Sequence, residues 1–136
     1  PCFENGKAAF LNDLGSEYGF GSTEFHVLRS MEQKIIPKFL YYIIHSPLFM
    51  NTGEAFMTGA AGQKRVPASF VEEFLIGIPS IEEQVKIVDH IDQQHKIVDE
   101  VINTSSRHIE LLKEYRTTLI SDVVTGKIDV RDEVIP

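Results

Sequence analysis

Residues 81–126 read IEEQVKIVDHIDQQHKIVDEVINTSSRHIELLKEYRTTLISDVVTG, and this stretch decides the fold. Stepping alternately three and four residues from Val88 picks out Val88, Ile91, His95, Val98, Ile102, Ser105, Ile109, Leu112, Arg116, Leu119 and Val123. Eight of these eleven are branched aliphatics, and neither Pro nor Gly interrupts the run before Gly126. A repeat of this period held over five heptads keeps one apolar seam on one side of a helix, which is the pattern of a coiled coil rather than of a short surface helix.

Both ends of the helix carry their own signals. Ser80 stands at the N-cap position with Glu83 three residues on, so a capping box is predicted, and Glu82 and Glu83 complement the positive helix end. Gly126 is placed to end the helix in the left-handed conformation, with Lys127 beside the negative end. About 43 residues at ~1.5 Å each give a rod of roughly 65 Å, longer than a small domain is wide. The helix is therefore expected to project from its own globular part and to need a partner for its seam.

Three polar residues interrupt that seam: His95, Ser105 and Arg116. Asn103-Thr104-Ser105-Ser106 is also a run of poor helix formers. The alternative is two amphipathic helices folded into a hairpin near residue 104. No Gly or Pro is present there to make the turn, which weighs against it.

The remainder fits one small domain. All nine Phe and three of the four Tyr fall in residues 1–80, so a compact core belongs there. The expected division is residues 1–80 as a globular part, 81–126 as a long coiled-coil spacer or dimerisation helix and 127–136 as a tail. The single cysteine, Cys2, allows no internal disulfide and suits a reducing compartment. With no leader-like segment and no apolar run of eighteen residues, a soluble cytoplasmic protein is expected, with no membrane association. Pro1 is not an initiator residue, so a fragment or an interrupted gene product is expected. The net charge of −7 argues against nucleic acid at face value. It divides unevenly, however, into −2 for residues 1–80 and −5 for residues 81–136, so the acidity belongs mainly to the rod.

Within residues 1–80 the pattern predicts an α+β domain. Asn5-Gly6 marks a turn, Ala8–Leu11 reads as a short strand, and the alternation of Thr23–Arg29 predicts a half-buried strand with Phe25 and Val27 on one face. Pro37 opens a buried helix ending near His45-Ser46, and Pro47 opens a second through Phe49, Met50, Phe56 and Met57. Ser69 and Glu72 form a possible capping box for a short helix through Phe74, and Leu75-Ile76-Gly77-Ile78 reads as a buried strand before Pro79.

The loop Thr58-Gly59-Ala60-Ala61-Gly62-Gln63-Lys64-Arg65 looks the most functional. Its glycines permit close backbone approach, and Gln, Lys and Arg can reach phosphates and base edges. It lacks the spacing of a phosphate-binding P-loop. No catalytic residues and no metal site are predicted. His26, His45, His90, His95 and His108 have no metal-ligand spacing, and the paired glutamates Glu72-Glu73 and Glu82-Glu83 are explained by helix N-termini.

Four strings, taken in order, resemble the specificity subunit of Type I restriction-modification systems. They are Gly21-Ser22-Thr23-Glu24-Phe25-His26-Val27-Leu28-Arg29, then Met57-Thr58-Gly59 through Gly62-Gln63-Lys64-Arg65-Val66, then Ile78-Pro79-Ser80-Ile81-Glu82-Glu83-Gln84, and finally Leu119-Ile120-Ser121-Asp122-Val123-Val124-Thr125-Gly126-Lys127-Ile128. The resemblance covers nearly the whole chain, as the C-terminal portion of a DNA target recognition domain followed by its long helix.

The resemblance implies a non-catalytic subunit that reads half of a split target in double-stranded DNA. In this family two recognition domains are held apart by antiparallel helices that also dock the modification subunit, a methyltransferase; S-adenosylmethionine and ATP are expected on the modification and restriction subunits, and this chain holds no cofactor. By position it assigns DNA contacts to Lys7, Ser22, Thr23 and Glu24 and to Gly62, Gln63, Lys64 and Arg65, with Lys64 and Arg65 on phosphates and Gln63 on a base edge. A full member has two recognition domains and two helices, whereas this chain has one helix. Two copies are therefore expected to pair as an antiparallel homodimer through Val88, Ile91, Val98, Ile102, Ile109, Leu112, Leu119 and Val123. The rival reading is a coiled-coil dimerisation protein with no DNA role; an enzyme of methyltransferase type is disfavoured because no cofactor loop is present.

Overall fold

The structure, a computed structural model, describes residues 3, 5–12, 14–60 and 64–134. Four helices follow one another among them: α1 (Pro37–Ile44), α2 (Pro47–Ala55), α3 (Ala68–Glu73) and α4 (Ile81–Val124). The chain divides into two units, Pro1–Ile91 and Asp92–Pro136. The division thus falls inside α4, whereas the sequence pattern put it at residue 80.

Prolines start the first two helices. Pro37 and Pro47 sit in the first turn, where the absent N–H is not needed and the fixed φ is already helical. Ser46 caps α2, its Oγ accepting the Phe49 N–H at 3.2 Å. His45 closes α1 by donating from Nδ1 to the Tyr41 carbonyl at 2.8 Å, with its ring 4.2 Å from that of Tyr41. α2 stops at Ala55, so Phe56 is its C-cap and is half exposed instead of helical. α3 begins at Ala68 behind Pro67 and has no side-chain cap, so the box expected from Ser69 and Glu72 does not form. Pro67 takes the N-cap position two residues earlier.

Two small cores result. Phe39 and Ile43, one turn apart on α1, bury against Val88 of α4 with Ile35, Ile36 and Tyr42 around them. Phe49, Val66 and Phe70 form the second, with ring centroids of Phe49, Phe70 and Phe74 lying 5.0 to 5.5 Å apart. Gly53 is buried there because a Cβ would run into the rings of Phe3 and Phe70.

The α+β expectation is corrected. Among the described residues the β pairing is a single antiparallel bridge between Thr58 and Arg65, and no strand forms at 8–11, 23–29 or 75–78. Phe25 and Val27 are exposed, and Leu75 is 93% exposed rather than buried. Alternation and β-branching specify a face that fits a sheet, but a strand also needs a neighbour to accept its backbone hydrogen bonds. These segments lack one among the described residues, and residues 23–24 turn instead.

α4 is continuous through Asn103-Thr104-Ser105-Ser106, which overturns the hairpin alternative. Its capping box forms as predicted: Glu83 N–H donates to Ser80 Oγ at 3.3 Å and Ser80 N–H to Glu83 Oε2 at 3.0 Å. Gly126, at φ +75°, ends it in a Schellman motif. Its N–H reaches the Val123 carbonyl at 3.1 Å, and that of Lys127 reaches Asp122 at 2.8 Å. No helix among the described residues is long and apolar enough to cross a membrane.

The seam has two fates. Val88 is no dimer contact, because it is 6% exposed inside the chain's own core, and Ile91 is half-buried. Val98, Ile102, Ile109 and Leu112 are each more than half exposed.

Gln84 is the fully buried side chain of the first unit, at 0% exposure. Its Oε1 accepts the Ile36 N–H at 2.9 Å, and its Nε2 donates to the carbonyls of Lys34 at 2.8 Å and Pro79 at 2.9 Å. Replacing it by Leu leaves three buried backbone groups without partners, each worth about 1–3 kcal/mol. The Gln84→Leu variant is expected to lose roughly 3 kcal/mol or more in urea denaturation, and Gln84→Glu, which turns two donors into acceptors facing carbonyls, at least as much.

Candidate nucleic-acid interface

Of the predicted contact residues, Ser22, Thr23, Glu24, Lys64 and Arg65 lie on two segments that the fold joins. Thr58 and Arg65 pair in an antiparallel bridge, whose two N–H···O bonds both measure 2.9 Å. The bridge adjoins the second core, since Val66, next to Arg65, is 4% exposed. Residues 22–25 form a tight turn: Phe25 N–H donates to the Ser22 carbonyl at 3.2 Å, and Glu24 N–H to Ser22 Oγ at 3.2 Å. Ser22 therefore shapes the turn and orients Glu24.

Two cross-links bind the turn to the loop. Glu24 Oε2 lies 2.8 Å from Arg65 Nε, and His26 Nε2 donates to the Val66 carbonyl at 3.0 Å, forty residues away. The side chains of Arg65 and Glu24 are 66% and 47% exposed, so solvent screens the ion pair and its contribution is small. The histidine bond spaces the two segments; the ion pair sets which charge faces outward.

The structure thus brings Ser22, Glu24 and Arg65 together, with Thr23 exposed in the same turn and Lys64 exposed beside Arg65. Lys7 is exposed beside α2, where the preceding Gly6 lies against the Met50 side chain. Gly62 and Gln63 lie outside the described residues. The Arg65 guanidinium, which the sequence assigns to a phosphate, meets the Glu24 carboxylate through Nε and is otherwise exposed. What sequence reasoning missed is the bond from His26 to the Val66 carbonyl and the pairing of Thr58 with Arg65. A histidine in an otherwise apolar alternation, Phe25-His26-Val27-Leu28, was the available signal. No group of three or more potential metal ligands comes together among the described residues.

Residues 4–111 match the family described as the Type I restriction modification DNA specificity domain. The chain belongs to this family. Two specificity-domain relatives from Escherichia coli agree with the assignment. Over 127 residues, 93% of this chain, it is 36% identical to the Type I restriction enzyme EcoEI specificity subunit and 38% identical to the EcoAI specificity subunit. It spans 21% and 22% of their lengths, about a fifth of each. No solved structure matches. The shared region takes in both segments of the interface and most of α4.

The two cross-links differ in kind, and stability measurements separate them. Arg65→Ala is expected to cost less than about 1 kcal/mol, as an exposed ion pair does. His26→Ala is expected to cost about 1 kcal/mol by removing a hydrogen bond that holds two segments, and Val66→Ala about 1–3 kcal/mol by opening the core. Urea unfolding of the three variants should return that order.

Proposed function

We propose that this chain is a non-catalytic, DNA-reading part of a Type I specificity subunit that works in the cytoplasm. It reads one half-site of double-stranded DNA with its 22–26 and 58–65 segments, docks the modification subunit through α4, and pairs with a second copy of itself through the same helix. The restriction subunit joins through that complex. S-adenosylmethionine and ATP belong to the partner subunits. The observation that carries this reading is the match of 93% of the chain to two specificity subunits.

The geometry supports the DNA role in a particular way. A small loop carrying Lys64 and Arg65 stands against a turn carrying Ser22, Thr23 and Glu24, so cations that serve phosphates lie beside groups that can meet base edges. Carboxylates accept from the exposed amino group of cytosine, and hydroxyls serve any base. A phosphate arriving at Arg65 must displace or share the Glu24 carboxylate. With two identical readers related by two-fold symmetry, the site read would be an interrupted palindrome.

Co-expression of the chain with its modification subunit, followed by S-adenosylmethionine-dependent methylation of random-sequence DNA, tests the assignment. Methylation confined to one interrupted motif is expected. A complex that methylates nothing would remove the reading role, and absence of any complex would remove the docking role. Within an active complex, Lys64→Ala is expected to weaken DNA binding and to lower the slope of log affinity against log salt by about 0.9, the loss of one phosphate contact. Glu24→Gln, which releases Arg65, is expected to steepen that slope. Identical slopes in parent, Lys64→Ala and Arg65→Ala would place these residues off the DNA.

A further inference from the structure

The Glu24–Arg65 ion pair joins two exposed tips that stand on fixed backbone. Arg65 leaves a backbone pinned to Thr58 by two bonds of 2.9 Å, and Val66 beside it is 4% exposed. Glu24 leaves a turn closed by Ser22, whose Oγ accepts the Glu24 N–H at 3.2 Å and whose carbonyl accepts the Phe25 N–H at 3.2 Å. His26 Nε2, donating to the Val66 carbonyl at 3.0 Å, sets the spacing of the two backbones. The side chains they carry are 66% exposed for Arg65 and 47% for Glu24.

What such a pair can meet on DNA is limited by its own composition. Glu24 Oε2 and Arg65 Nε lie 2.8 Å apart, less than the ~3.4 Å step between stacked bases, so both tips address one base pair. A phosphate suits this array poorly, because it takes the guanidinium and leaves the carboxylate beside a second anion. A base pair presents donors and acceptors together. In the major groove guanine offers two adjacent acceptors, O6 and N7, which match the fork of arginine, and cytosine offers an amino donor, which matches a carboxylate. A G·C pair thus replaces both halves of the ion pair at once.

The other pairs fail to do so. With A·T in the same orientation, the arginine fork meets the amino donor of adenine and the carboxylate meets the O4 acceptor of thymine. A reversed C·G pair sets arginine against the cytosine amino group and the carboxylate against two acceptors. A T·A pair gives arginine one acceptor and the carboxylate one donor, but it places adenine N7 beside the carboxylate and offers the fork no second acceptor. Hydrogen bonding and charge therefore select one base pair in one orientation.

We propose that Glu24 and Arg65 together read a single G·C pair of the half-site from the major groove. The internal ion pair opens, Arg65 donates to O6 and N7 of guanine, and Glu24 accepts from the amino group of the paired cytosine. This rests on the specificity reading above and deepens it by naming the base pair that two of its residues take. It moves Arg65 from a phosphate to a base and leaves the backbone contact to Lys64, which is exposed next to it. The exposure of the ion pair suits the exchange, because little is lost when it opens.

Selection from random-sequence duplex DNA by the full chain, co-expressed with its modification subunit and repeated with side-chain variants, tests the assignment. The parent motif is expected to contain a G·C pair at which Arg65→Ala and Glu24→Ala each relax preference by about 10-fold, at that one shared position. Arg65→Lys separates a base from a phosphate. Lysine keeps the charge but lacks the fork, so the preference for guanine is expected to fall while the salt dependence stays that of the parent. His26→Ala, a positioning change, is expected to weaken binding to all sequences by a similar factor. Relaxation at two different positions, relaxation at an A·T pair, or an unchanged motif in Arg65→Ala would each overturn the proposal. So would an Arg65→Lys variant that selects as the parent does, the result for a phosphate contact. A parent that selects no motif would remove the specificity reading and this inference with it, whereas a parent motif left intact by the variants would remove this inference alone.

Discussion

One buried amide holds the first unit together. Gln84 lies in the opening turn of α4, and its side chain meets three backbone groups from two other segments: the Ile36 N–H, the Lys34 carbonyl and the Pro79 carbonyl. α1 has no side-chain cap of its own, and Ile36 is its N-cap residue. The amide therefore ties the entrance of α1 to the entrance of α4 across 48 residues of sequence. It also pins a costly piece of backbone, since Gln33, directly before Lys34, sits at φ +61°. A non-glycine residue in that conformation costs about 1–2 kcal/mol and persists where the surroundings over-determine it. Both N–H donors of the amide and its oxygen are used, so burial leaves nothing unsatisfied.

Fixing the start of α4 in this way divides the helix by function. Val88, one turn beyond Gln84, completes the core with Phe39 and Ile43. The heptad seam continues past that point with the same period, but from Val98 to Leu119 its apolar residues face solvent. One heptad pattern thus runs through two environments, a folded core and an exposed face. The capping box at Ser80 and the Schellman motif at Gly126 define both ends locally, so α4 needs no partner to fix its limits.

This division explains what was legible in the sequence. Local rules worked: the prolines of α1 and α2, the caps of α4, the terminating glycine and the concentration of aromatics all act within a few residues of where they stand. Non-local facts stayed hidden. Periodicity places Val88 on the seam but cannot say whether the facing helix belongs to the same chain. Gln84 reads as a polar residue in a helical first turn, and nothing within its heptad shows that the amide is buried. The strands expected at 23–29 and 75–78 failed for the same reason, because alternation describes one face while a sheet depends on a second segment. In the candidate site, the strings around Ser22 and Lys64 did not show that the two segments meet, because the pairing of Glu24 with Arg65 and the bond from His26 to Val66 each join residues about forty apart.

Under the proposed DNA role, the Glu24–Arg65 pair would bear on how an acidic chain reads DNA. With a net charge of −7, general attraction to a polyanion is not available, and non-specific binding rests on phosphate neutralisation by a few local cations. Covering one of those cations with an internal carboxylate lowers non-specific affinity further. It does less harm where base contacts are made, because a correct sequence supplies hydrogen bonds that offset displacement of Glu24, whereas a wrong one does not. Specificity is a difference between two affinities, so a displacement cost met only when base contacts form widens it, whereas a cost shared by all sequences cancels. The His26 bond and the buried Val66 keep the loop in place while the exposed ion pair opens, which separates the part of the site that must stay rigid from the part that must yield.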